Sequence, residues 1–167
     1  PMSLHFSKFH LVCGYAASRN STLAQQLARD HGAIVLSEDQ WLSALFEEEL
    51  HSLADYVRCT ARLRRALGPH VMALLQAKQA VVMDFAANTV EARAWLVGLA
   101  QEASVTPTLH FLDVPQEVCW RRAQARNQAG SHEFQLSKDQ FDKLASHFER
   151  PDEVEGFDLV LLQSDQV

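Results

Sequence analysis

Hydroxyls, carboxylates and guanidiniums recur in this sequence where a phosphate and a divalent cation would need them. Ser21-Thr22 follow a short loop that begins at Gly14. Asp39 lies just past the apolar run Ala33-Ile34-Val35-Leu36, and Asp84 ends the run Ala80-Val81-Val82-Met83. Arg122 and Arg126 are spaced to share one face of a helix. A hydroxyl and a carboxylate are hard oxygen ligands suited to Mg²⁺, and arginines running into the polar loop Asn127-Gln128-Ala129-Gly130 are what a phosphate clamp requires.

The stretch Phe9 to Leu27 reads as strand, tight loop and helix. Phe9 to Cys13 is apolar with a β-branched centre, Gly14 breaks it, and Leu23 and Leu27 recur at helical spacing. Such a turn is where G-x-x-x-x-G-K-S/T phosphate loops occur: the glycines let backbone N–H groups approach phosphate, the lysine neutralises it and the hydroxyl ligates Mg²⁺. Gly14 and Ser21 are in register with that pattern, while Arg19 replaces the second glycine and Asn20 the lysine. The same residues also suit an ordinary strand-to-helix turn with a Ser-Thr cap.

The remaining residues must be positioned by alternating strands and helices. A strand is expected at 33–36, and the acid after it stands where open α/β sheets hold ligands; Ser37 or Asp39 equally fits a cap for a helix starting near Trp41. Residues 41–79 read as two or three helices punctuated by Gly68-Pro69. Arg58, Arg62, Arg64 and Arg65 on the middle one form a solvated basic face or line an acceptor pocket. Further strands are expected at 80–85, 108–114 and 157–162, with helices after Asn88-Thr89, after Pro115 and from Ser137 to about Phe148. Arg122 and Arg126 also fit a basic helix end that offsets the macrodipole. The alternation implies a parallel sheet with right-handed crossovers.

Composition narrows the partners. A length of 167 residues suits one domain, 1–167, with an ordinary core. The net charge of −6 argues against broad attraction to nucleic acid or an anionic membrane. No apolar run approaches the roughly 18 residues of a membrane span. Three widely spaced cysteines argue against a disulfide framework or a zinc site, and a cytoplasmic location is the simplest reading.

Taken together, Gly14 to Thr22, LSEDQWL, VVMDFAANTVEAR and LDVPQEVCWRRAQARN make the chain resemble the small P-loop kinases. It looks closest to the branch of polynucleotide kinase, zeta toxin and chloramphenicol phosphotransferase, over residues 9 to 162. The resemblance implies a three-layer α/β fold, a five-stranded parallel sheet flanked by helices, with a small helical lid at about 122–137. It implies ATP held by Gly14, Ser18, Arg19, Asn20, Ser21, Thr22 and Arg122, and Mg²⁺ served by Ser21 and Asp84. Asp39 would be the base for an acceptor hydroxyl, Arg122 and Arg126 would lie at the transferring phosphate, and Asn88 and Arg93 would position the acceptor or the Asp39 loop. The implied partners are a nucleotide and a small hydroxyl-bearing acceptor. Arg19-Asn20 depart from the family's Gly-Lys, so the alternative is a catalytically silent pseudokinase, decayed naturally or altered deliberately, that serves as a binding or regulatory module.

Overall fold

Strand β1, Phe9–Cys13, has no exposed residue, and it lies at the centre of the sheet. The computed structural model describes residues 7–130 and 136–163. Within them the chain runs α1 Asn20–His31, β2 Ile34–Ser37, α2 Glu38–Phe46, a 3₁₀ turn Glu47–Glu49, α3 Leu53–Gln76, β3 Val81–Asp84 and α4 Val90–Glu102. It continues through β4 Thr108–Asp113, α5 Gln116–Ala129, α6 Lys138–Ser146, a 3₁₀ turn Glu153–Glu155 and β5 Asp158–Gln163. All four strand pairings are parallel, in the order β2-β3-β1-β4-β5.

Alternation along β1 divides the core. Phe9, Leu11 and Cys13 pack with Leu63, Leu67, Val71, Leu96 and Leu99 of α3 and α4. Val12, on the other face, packs with Leu23, Leu27, Cys119, Ala123 and Phe141 of α1, α5 and α6. Successive side chains of a strand point to opposite faces, so a buried central strand is apolar at every position. The expected three-layer α/β architecture is therefore the observed one. α1 packs on one face of the sheet and α4 on the other, so the carboxyl ends of β1 and β3 mark the switch point at which open α/β sheets place their ligand crevice.

Two expectations about the helical region are corrected. The helix after β2 begins at Glu38 rather than near Trp41, with Ser37 as its cap, accepting from the Gln40 backbone N–H. Gly68-Pro69 does not break the chain: α3 is one helix of 24 residues with Pro69 inside it. An interior proline costs about 3 kcal/mol, and here the buried stripe Cys59, Leu63, Leu67, Val71 and Leu75 on both sides of it outweighs that cost. Pro69 itself faces solvent. Gly68 is buried against Leu99 and Trp95, so its role is helix packing rather than termination. Among the described residues, no helix is long and apolar enough to cross a membrane.

Candidate functional site

The loop from Gly14 to Arg19 carries backbone strain. Ala17 has φ 64° and Arg19 φ 78° with ψ 34°, both left-handed. That conformation costs an L-residue roughly 1–2 kcal/mol, and strain of this kind gathers at ligand sites. Arg19 is the cap residue of α1, and its side chain makes no cap hydrogen bond to the helix. The first-turn N–H groups and the positive end of the helix dipole thus lie at the loop, the arrangement that attracts phosphate. Gly14 is required by space, since a Cβ there would come within 2.5 Å of Ser18 Oγ and 3.1 Å of the Leu112 carbonyl.

Asn20, standing where a phosphate loop has lysine, turns back into the loop. Its amide nitrogen donates to the Gly14 carbonyl at 3.3 Å, and its oxygen accepts from the Ser18 hydroxyl at 3.2 Å. Ser18 is fully buried, so of the expected ligand contacts these two side chains brace the loop, whereas Arg19, Ser21 and Thr22 are exposed. Ser21 Oγ donates to Asp84 Oδ2 at 2.7 Å, bringing together the two expected cation ligands across the crevice.

Asn88 and Arg93, expected to position the acceptor or the Asp39 loop, are both bonded to protein groups here. The Asn88 amide grips Gly14 at both backbone atoms, accepting from its N–H at 3.0 Å and donating to its carbonyl at 2.8 Å. The Cys13 thiol also donates to Asn88 Oδ1, and burial pushes that thiol up to about 12, partly offset by Arg93. Arg93 is 0 % exposed. It donates to Glu155 Oε1 at 2.8 Å and to the Ala87 carbonyl at 3.0 Å, tying the loop after β3 to the second 3₁₀ turn. Arg93 thus has its guanidinium committed to the scaffold.

Asp39 lies half-buried in the first turn of α2. Arg126 feels its charge from α5: burial lowers the guanidinium's affinity for its proton, and Asp39 acts in the opposite direction. Arg126 is half-buried, with its Nε–H unpartnered, and Arg122 stands one turn earlier. Next to Asp39, Glu38 is 3 % exposed, and its carboxyl is raised by burial despite Arg64 at 3.4 Å. Arg64 also lies over the Trp95 ring at 5.1 Å. This arginine is a packing element, while Arg58 makes exposed pairs with Glu49 and Asp55, and Arg62 and Arg65 face solvent. The expected lid, 122–137, includes residues 131–135, which lie outside the described residues. Its flanks are joined by Asn127, whose amide donates to the Leu136 carbonyl and accepts from its N–H.

Residues 148–155 support this site, though nothing in the sequence alone marks most of them. Phe148 stacks on Tyr15 of the loop with ring centroids 4.7 Å apart. Glu149 receives the Val90 N–H, and its own N–H donates to the Asn88 carbonyl. Asp152 and Glu155 form a capping box, and that D-x-x-E spacing was the one local signal available.

Residues 9–151 match the family model described as an AAA domain. The chain belongs to that family. The likeness to solved structures agrees with it in fold. A Chloroflexus aurantiacus protein classed provisionally as a kinase shares 21% identity over 99% of this chain and 91% of its own, with a TM-score of 0.75. Kti12 of Chaetomium thermophilum, solved with ADP-AlF3, shares 19% over 93% and 88%, with a TM-score of 0.71. The Mycobacterium tuberculosis APS kinase, solved with AMPPNP and APS, shares 24% over 96% and 90%, with a TM-score of 0.66. No protein of curated function matches the chain. As a member of the family it has a kinase-like, P-loop α/β fold.

Proposed function

We propose that this protein binds ATP with Mg²⁺ in the β1–β3 crevice and transfers the terminal phosphoryl group to the hydroxyl of a small molecule or nucleotide. The observation that carries the reading is Ser21 Oγ against Asp84 Oδ2 at 2.7 Å, beside the start of α1. A hydroxyl and a carboxylate in an accessible crevice fit Mg²⁺, which keeps several waters and takes its other ligands from phosphate. Bound there, the ion would neutralise charge on the phosphate oxygens.

The chain's own residues would do the rest. Backbone N–H groups at the start of α1 hold phosphate oxygens. Arg122 and Arg126 face the transferring group from α5, stabilising charge that spreads over its equatorial oxygens. Asp39 takes the proton from the acceptor hydroxyl as that oxygen bonds to phosphorus and the bond to the ADP oxygen breaks. The negative net charge favours a small acceptor over nucleic acid. The single domain, its lid at 122–137 and a cytoplasmic setting belong to the same reading.

One observation favours a second reading, a nucleotide-binding module without turnover. Asn20 supplies no cation, and its amide is spent on Gly14 and Ser18. Calorimetric titration of ATP and Mg²⁺ into this chain and into an Arg19→Gly, Asn20→Lys variant tests both. Comparable binding by the two proteins, with turnover abolished by Asp39→Asn, supports the transferase. Binding that tightens only on repair supports the silent module, and no binding by either protein refutes both.

A further inference from the structure

Gly14 is held from outside its own loop by Asn88, whose oxygen and nitrogen bond the glycine's N–H and carbonyl at 3.0 and 2.8 Å. The amide presents its donor and its acceptor on two separate atoms, one for each backbone group of Gly14; an ionised aspartate lacks the donor. Asn88 is in turn fixed by the segment after α6, because its carbonyl accepts the Glu149 N–H at 2.8 Å. Glu149 also caps the start of α4 through the Val90 N–H at 3.1 Å. A second contact joins the same two regions, the Phe148 ring lying on Tyr15 and, edge-on, on Phe111 of β4. Residues 147–150 therefore meet the loop twice, through a hydrogen-bond chain and through a ring stack.

We propose that Asn88 is the positioning residue of the nucleotide loop, and that it makes the loop's shape conditional on the docking of residues 147–150. A strained loop needs surrounding structure to hold it, and this pair of contacts supplies that hold from the segment that follows α6. The link rests on the proposed function only in taking the loop as the ligand's seat.

Hydrogen exchange of the nucleotide-free chain tests the coupling without reference to any ligand. Asn88→Asp should speed exchange at 14–20 about tenfold, with β3 and β4 unchanged. Phe148→Leu should act in the same direction, and the double variant should exceed Asn88→Asp by less than twofold. Unchanged loop exchange, acceleration spread evenly over the sheet, or additive effects of the two substitutions each overturn the proposal. Should Asn88→Asp fail to fold, Asn88→Ser carries the same expectation and the same refutation. In a parallel calorimetric titration with ATP and Mg²⁺, Asn88→Asp should weaken binding at least tenfold. A wild-type chain that binds no ATP would refute the nucleotide reading and leave the exchange result standing.

Discussion

The hydroxyl of Ser21 donates a 2.7 Å hydrogen bond to the carboxylate of Asp84, joining the first turn of α1 to the end of β3. Neither residue neighbours the other in sequence; the parallel pairing of β1 with β3 brings them together. In the proposed function their oxygens are the ligands offered to Mg²⁺.

Asp84→Asn should lower affinity for ATP in the presence of Mg²⁺ by about 10- to 100-fold, corresponding to roughly 1.5–3 kcal/mol for an interaction with a charged group. Affinity in EDTA should change little. Calorimetry under both conditions separates the roles, and an equal loss with and without the metal would make Asp84 a brace for the loop instead.

Arg19 holds φ 78° at a place suited to glycine. Arg19→Gly removes that strain while adding freedom to the unfolded chain, for a net gain of about 0.5–1 kcal/mol. For a protein of this size, Tm should rise by about 1–4 °C. A fall on a thermal melt would mean that contacts of the Arg19 side chain outweigh the backbone term.

Acid should destabilise the fold through histidines. His10 Nδ1 and His110 Nε2 are 3.1 Å apart and buried, and the His31 ring lies 4.3 Å from that of His10. Burial, with repulsion from the neighbouring histidines, lowers both His10 and His110 from 6.5 to about 4. Between those values the unfolded chain binds more protons than the native one. Stability is therefore full above pH 6.5, falls as pH drops toward 4 and levels off below it as far as these groups are concerned. Unfolding free energies from denaturant titrations at pH 7 and pH 5 should differ by a few kcal/mol at most, and His10→Leu with His110→Leu should flatten the difference. A wild-type midpoint independent of pH over this range would refute the account.

Arg93 and Glu155 join α4 to the second 3₁₀ turn, where the guanidinium is fully buried. Arg93→Ala should cost about 3–5 kcal/mol, the usual penalty for breaking a buried pair. Glu155→Gln retains an acceptor for Arg93 Nε and should cost less, about 1–3 kcal/mol. Urea unfolding of the two variants gives the order, and a harmless Arg93→Ala would return that residue to consideration as a ligand contact.

Much of this protein was legible without coordinates because the signals were local. Apolar runs ending in Gly14 and Asp84, caps at Ser37, Thr89 and Ser137, and alternating periodicities define five parallel strands and the helices between them. The strained loop and the Ser21–Asp84 contact follow from that order, since parallel strands carry their carboxyl ends to one edge. Tertiary structure alone decided the remainder. Pro69 stays inside α3 because burial on both sides of it outweighs a local preference. Asn88 and Arg93 face inward because their partners, Gly14 and Glu155, lie far away in the chain, and an amide or a guanidinium carries no local mark of what it will bond. Asn20 likewise reads in the sequence as a missing charge, and only the folded loop shows its amide bracing Gly14 and Ser18.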